Sequence, residues 1–178
     1  MTAGVGAGDS SPSDPLRPSN PLRLSDPLWP SEQTTLHWAL RSSFTEYVES
    51  IDDGKITRRE VGVDAESRFV FEGVATTHNA GLAFRGSAHF WAHFGVMDFH
   101  LGDIEILFDD TPRITIAAQP RREGRATIAE LVGPAEITDS SVTLGARLTE
   151  AGVSLLGGVY AVGELLDPIH IVRNSPPV

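Results

Sequence analysis

The chain has no cysteine among its 178 residues. That excludes disulfides, zinc–thiolate sites, iron–sulfur clusters and cysteine nucleophiles, and leaves the compartment open. Positive charge is scarce: 14 Lys and Arg stand against 24 Asp and Glu, for a net charge of -10, and no basic run gathers the cations into a stripe. Such a surface repels nucleic-acid phosphates and anionic membranes, so neither is an expected partner. Nowhere do about 18 apolar residues run together to span a bilayer. The N-terminus also lacks a basic stretch followed by an apolar core, so no standard export signal is present and the expected location is cytoplasmic. A trimmed, exported mature protein would read the same way. No P-loop, dinucleotide fingerprint, HExxH or Ser-His-Asp spacing occurs, which leaves hydrolytic or nucleotide chemistry without a motif and makes a non-enzymatic role the expectation.

With 40% apolar content, the chain suffices for one buried core and one domain. Residues 1–32 stand apart as a Pro/Ser-rich block with a six-residue repeat, SDPLRP at 13–18, SNPLRL at 19–24 and SDPLWP at 25–30. Proline in each unit removes backbone donors that helices and ladders need, so this block reads as a disordered N-terminal tail. The expected folded domain covers 33–173, with 174–178 as a C-terminal tail.

Leu36, Leu40, Phe44, Tyr47, Val48 and Ile51 follow the spacing of an amphipathic helix, with Arg41, Glu46 and Glu49 off the stripe. Ser43 and Tyr47 fall inside that stripe, one turn apart and about 6 Å from each other, close enough to serve one bound molecule. A tyrosine there most often only packs its ring and ties its hydroxyl to a carbonyl. Asp52-Asp53-Gly54 reads as a helix stop, and the period then falls from 3.6 to 2. Strands are expected at 68–75, 82–93, 97–101, 103–108, 113–118, 126–132 and 141–148. In the second of these, Leu82, Phe84, Ala88, Phe90 and Ala92 face inward and His89, Trp91 and His93 outward. A turn at Gly95 makes the second and third strands a hairpin, with Asp98 and His100 outward on the return. Thr149 is placed to cap a short helix over 150–156, and Asp167-Pro168 is a turn signal. The expected fold class is mainly β (α+β), an antiparallel two-sheet β-sandwich with two short helices.

Three blocks carry a resemblance: LHWALRSSFTEYV at 36–48, FRGSAHFWAHFGVMDFHLGD at 84–103 and ARLTEAGVSLLGGVYAVGELLDPI at 146–169. In this order they resemble the HtaA domain, the haem-transport-associated module of actinobacteria. The resemblance implies a non-enzymatic β-rich protein that binds ferric haem b through an axial tyrosinate for uptake, storage or delivery. Partners would be haem and another haem-transfer protein, and the family's usual place is the cell envelope. The ligand tyrosine falls on Tyr47, the haem-contacting serine on Ser43, and the histidine that hydrogen-bonds the tyrosine on His93. His89 and Trp91 share the outward side of that strand and join the expected haem surroundings, with His89 or His100 as alternative axial or distal partners. Ala39 and Phe94 depart from the family pattern, which more often has Gly and an acidic residue there.

A phenol with an ordinary pKa near 10 ligates poorly at neutral pH unless iron or a neighbour favours the phenolate. Tyrosinate is a hard oxygen donor used as an axial haem ligand, and a histidine beside it fixes orientation and charge. His37, His78 and His170 read as surface residues, and Tyr160 as a packed aromatic. Two rival readings remain: a peroxidase-like or haem-degrading enzyme with His89 or His93 as acid–base group, and an interaction module that has lost haem.

Overall fold

The computed structural model describes residues 33–75, 81–117 and 124–174. The expected tail at 1–32, His78, and residues 175–178 of the expected C-terminal tail lie outside them. The described strands are β1 (Gln33–Trp38), β2 (Lys55–Arg59), β3 (Val61–Val63), β4 (Phe69–Ala75), β5 (Gly81–Ala92), β6 (Met97–Leu107), β7 (Arg113–Ala117), β8 (Arg125–Ile137), β9 (Ser141–Leu148) and β10 (Leu165–Arg173). Two helices accompany them, α1 (Ser42–Ser50) and α2 (Glu150–Leu155), with a 3-10 turn at His93–Gly95.

The expected sandwich is not what forms. The antiparallel order β5-β6-β7-β8-β9-β10-β1-β4 returns to β5 through the β4–β5 pairing, which runs from Gly73 opposite Phe84 to Ala75 opposite Leu82. Eight strands thus close one barrel, and β2 and β3 are extra. Alternation at period 2 reports only that each strand has one buried face, a property that barrels and sandwiches share; closure depends on whether β4 also meets β5. Every barrel strand contributes to the buried core, among others Leu36, Phe71, Phe84, Ile104, Ile114, Leu131, Leu144 and Ile171.

The extra strands form a wedge. At the Phe84/Ser87 register shift Gly86 takes φ +94°, and beyond it β5 leaves β4 and pairs with β2 instead, Arg59 opposite Ser87 through Lys55 opposite Trp91. On the other side β3 pairs with the first half of β4, Val61 opposite Phe71. The chain turns between β2 and β3 at Glu60, whose φ is 55°. Strand bulges bend a sheet and raise its twist, and this one opens the barrel wall at one end.

Two boundaries differ from expectation. Leu36 and Trp38 belong to β1, so the helix starts only at Ser42. Burial of Leu36 alone suits either a helix stripe or the inward face of a strand, but Leu36 and Trp38 buried together have the period of a strand, and β1 pairs with both β10 and β4. Met97–Leu107 is a single strand rather than two, with Asp103 at φ 46° inside it.

Candidate functional site

The pairing registers gather the ends of β1, β5 and β9 and the starts of β4, β6 and β10 at one end of the barrel, so α1, the 93–95 turn and α2 all sit there. Helix α1 plugs that end with Phe44 and Val48. The Phe44 ring lies 5.3 Å from Phe90, 6.4 Å from Phe99 and 6.5 Å from Tyr160, centroid to centroid. Its N-terminus is capped from a distance: Arg41, at the cap position, gives no side-chain cap, and the Asp167 carboxylate accepts both the Ser42 N–H, at 2.8 Å, and the Ser42 hydroxyl. Trp38 donates its indole N–H to the Asp167 carbonyl at 2.9 Å. Asp167-Pro168 is therefore no turn but the bulge of β10, where the register shifts between Leu166 and Ile169. A proline inside a strand is tolerated at such a bulge because no ladder donor is needed there.

Ser43 and Tyr47 do not face the core. Both are exposed, and Tyr47 retains 47% of its accessible surface. They occupy the helix face beside the buried pair Phe44 and Val48, since a helix starting at Ser42 has only those two positions turned into the barrel. This outward face forms one wall of a cleft of about 760 Å³, within the usual range for small-molecule sites. The opposite wall comes from α2 and the segment after it, with Leu155, Leu156, Val159 and Tyr160. His93, Val96, Met97 and Asp98 complete the lining. Phe94, Val96 and Val159 stand at 89%, 89% and 72% exposure, an apolar fringe in solvent.

Tyr47 and His93 meet in this cleft. Tyr47 Oη lies 2.7 Å from His93 Nε2, and their rings are 6.0 Å apart. His93 and Phe94 both have positive φ, 54° and 56°. The Asp53 carboxylate holds that turn by accepting both backbone N–H groups, His93 at 3.2 Å. Gly54 follows because a Cβ there would stand 1.8 Å from the Val48 carbonyl oxygen at the end of α1. The helix stop thus also anchors the histidine.

At the other end of the wall, Ser43 Oγ accepts from Arg41 Nε at 3.1 Å. Arg41 pairs with Glu164 at 2.7 Å, and its guanidinium lies 4.6 Å from the Tyr160 ring centroid. Burial pushes the Tyr160 phenol up, against the Arg41 charge and a hydrogen bond with Ser43. Tyr160 therefore stays a neutral phenol in the cleft wall.

His89 and Trp91 are not among the residues lining the cleft. Trp91 packs under the turn, where a Cβ on Gly95 would come within 3.3 Å of its Nε1. His89 stacks on His100 with centroids 3.8 Å apart and bonds Asp98 Oδ1 at 2.7 Å. Burial and then the nearby His89 hold His100 below the ordinary histidine value. His37 bonds Asp64 at 2.8 Å and His170 bonds Thr143 at 2.9 Å, so both are engaged within the barrel wall, away from the cleft.

Asp53, Arg41 and Asp167 were not singled out from the sequence as parts of a site. Only the distance from a stop signal or a proline-linked aspartate to another block would have exposed them, and that distance lies in the fold.

Comparisons with known proteins bear on the family and the fold. The HtaA (Htaa) family profile matches residues 33–172. The fold is similar to the C-terminal domain of HtaA from Corynebacterium glutamicum (TM-score 0.65, 23% identity, 80% of this chain and 96% of that one). It is also similar to the N-terminal domain of HtaA from the same organism (0.64, 22%, 82% and 99%) and to the heme binding protein HtaB (0.62, 19%, 80% and 94%). No curated protein matches the chain. With its matched region running through every described strand of the barrel, the chain belongs to the HtaA family.

Proposed function

We propose that the chain binds haem in the cleft between α1 and the segment after α2, with Tyr47 as axial ligand to ferric haem b, His93 as the hydrogen-bond partner of that tyrosine, and Ser43 at a propionate. The observation that carries this reading is the 2.7 Å contact between Tyr47 Oη and His93 Nε2 on the wall of a 760 Å³ cleft, with the tyrosine half in solvent. A tyrosine placed only for packing would bury its ring. This one presents its oxygen to a cavity with an imidazole already in contact.

The residues suit the ligand chemically. Bound ferric haem supplies an iron centre for which a phenolate oxygen is a suitable hard donor. His93 Nε2 is placed to accept the phenol proton or to orient the phenolate, and hydrogen bonding to the charged form favours that form. Val96, Met97, Leu155 and Val159 offer apolar surface to a macrocycle, backed by the buried Phe44 and Leu156. Ser43, backed by the Arg41 guanidinium 3.1 Å away, offers a polar end to a carboxylate. His89 and Trp91 support the 93–98 turn and its strands in this reading and do not touch the haem. The open mouth suits exchange with another haem-transfer protein, so holding and delivery at the cell envelope is the proposed role. Among the described residues no helix is long and apolar enough to cross a membrane.

Hemin titration of the purified chain tests this reading. A Soret band with a high-spin ferric tyrosinate spectrum is expected, abolished in Tyr47→Phe and weakened or shifted in His93→Ala. An unchanged spectrum in Tyr47→Phe rejects the ligand assignment. Absence of binding favours an interaction module, and peroxide-dependent turnover by the loaded protein favours an enzyme.

A further inference from the structure

The outer face of the β5–β6 hairpin carries a cluster that haem binding does not use. His89 and His100 are directly opposite each other in the ladder, and Asp98 sits two residues before His100 on the same face, opposite Trp91. His89 Nε2 lies 2.7 Å, and His100 Nε2 3.4 Å, from Asp98 Oδ1. One ligand atom from each residue lies within 4.8 Å of the other two. The side chains are between about a third and just over half exposed, so an ion reaches them from solvent. In the cross-strand row Trp91 stands between Asp98 and the cation Lys55, and Thr57 is the neutral partner of His89 on β2.

We propose that His89, Asp98 and His100 form a binding site for a divalent transition-metal ion beside the haem cleft, sharing with it only Asp98 at the cleft edge. Two imidazole nitrogens and one carboxylate oxygen match the donor preference of Zn²⁺ and its neighbours Co²⁺, Ni²⁺ and Cu²⁺. Mg²⁺ and Ca²⁺ instead seek six or more oxygens. A tetrahedral Zn²⁺ with bonds near 2.0–2.1 Å separates its donors by roughly 3.3 Å. The two distances from Asp98 Oδ1 bracket that value, so side-chain rotation alone brings the three donors around an ion. Ligation through each Nε2 requires that nitrogen to carry no proton, as in the Nδ1–H tautomer of a neutral imidazole, and remaining positions stay open to water. The ladder supplies the preorganisation: two strands in fixed register hold the histidines opposite each other before any ion arrives.

Zn²⁺ calorimetry and Cu²⁺ electron paramagnetic resonance on the full, untagged chain without haem test the site. One Zn²⁺ per chain is expected, and Cu²⁺ should show hyperfine coupling to two imidazole nitrogens. His89→Ala and His100→Ala should each leave one coupled nitrogen and weaken Zn²⁺ by at least ~10-fold, the loss typical when even an outer partner of a ligand is removed. Asp98→Asn should weaken Zn²⁺ without changing the nitrogen count. Tyr47→Phe should bind Zn²⁺ as the parent does, which separates this site from the haem reading, and melting curves confirm that each variant folds. Zn²⁺ binding that survives in a folded His89→Ala/His100→Ala double variant overturns the proposal. So does the absence of one-to-one binding in the parent at micromolar Zn²⁺.

Discussion

Asp53 and His93, forty residues apart, are joined carboxylate to backbone: the His93 N–H donates to Asp53 Oδ1 at 3.2 Å, and the Phe94 N–H donates to the other oxygen. Left-handed backbone at two successive residues that are not glycine is unfavourable by roughly 1–2 kcal/mol each, so the turn depends on what holds it. Asp53→Ala removes both acceptors while leaving Tyr47 and His93 in place. Destabilisation of about 1–2 kcal/mol is expected from the lost charge-assisted bonds, discounted for exposure. Hemin affinity should fall about 10-fold, in the range seen when a group orienting a ligand is lost, with a spectrum drifting toward that of His93→Ala. Parent-like hemin binding in a folded Asp53→Ala protein would show that the turn holds itself.

Gly86 makes the wedge possible, and its replacement separates backbone strain from crowding. At φ +94° a Cβ would meet the Glu60 carbonyl oxygen at 2.5 Å and the Val61 side chain at 2.7 Å. Gly86→Ala therefore incurs both left-handed strain and overpacking, about 2–4 kcal/mol in sum. Gly133, at φ +77° with nothing within 4 Å of its Cβ position, isolates the first effect, so Gly133→Ala should lose only about 1 kcal/mol. Urea midpoints of the two variants measure the difference, and equal losses would mean that β3 moves freely out of the way.

Six of the ten described strands, β4 to β9, were legible because alternation is local. Leu82, Phe84, Ala88, Phe90 and Ala92 are buried as their spacing requires, and Thr149 caps α2 by accepting the Gly152 N–H at 3.1 Å. What could not be read was pairing. Phe71 and Phe84 look alike whether β4 and β5 face each other across a sandwich or sit side by side in a barrel wall, and the ring also needs β1 beside β10, Leu36 opposite Ile171, a pairing between residues far apart in sequence. The exposed strands β2 and β3 have almost no buried residues to alternate with, so KITRR and VGV carry no period-2 signal. The helix was legible in its second half only. Leu36 and Leu40 fit its stripe by coincidence of spacing, and a stripe carried back to Leu36 places Ser43 and Tyr47 on the inward side. In the fold Trp38 hydrogen-bonds the Asp167 carbonyl from the end of a strand, and Tyr47 faces the cleft. Helical spacing alone singled out Tyr47 with Ser43, while its role as ligand and the part of His93 came from the three-block resemblance; spacing gave no reason to join residue 47 to residue 93.

Acid should unfold the barrel partly through Asp64. Its carboxylate accepts from His37 Nδ1 at 2.8 Å, from Arg68 Nε at 2.7 Å and from the Arg68 and Glu66 N–H groups at 2.9 and 3.0 Å, tying β1 to the β3–β4 turn. Burial alone would raise its pKa, but the hydrogen bonds from His37 and Arg68 together with the Arg68 charge outweigh burial and hold the carboxyl well below the usual carboxylate range. Glu66, bonded to Arg68 Nη2 at 2.7 Å, is the other acidic group at the turn. A depressed folded-state value means that the stabilisation is fully present above the unfolded-state pKa of about 3.9 and is lost as pH falls through the lower folded-state value. Melting temperature should therefore decline as pH drops from about 5 toward 2. Asp64→Asn should be less stable at pH 7 by about 2 kcal/mol, the scale of hydrogen bonds to a charged acceptor. It should also lose less on acidification, so the two melting curves converge at low pH. Parallel curves, separated by the same interval at pH 7 and pH 2.5, would assign the acid sensitivity to other carboxylates.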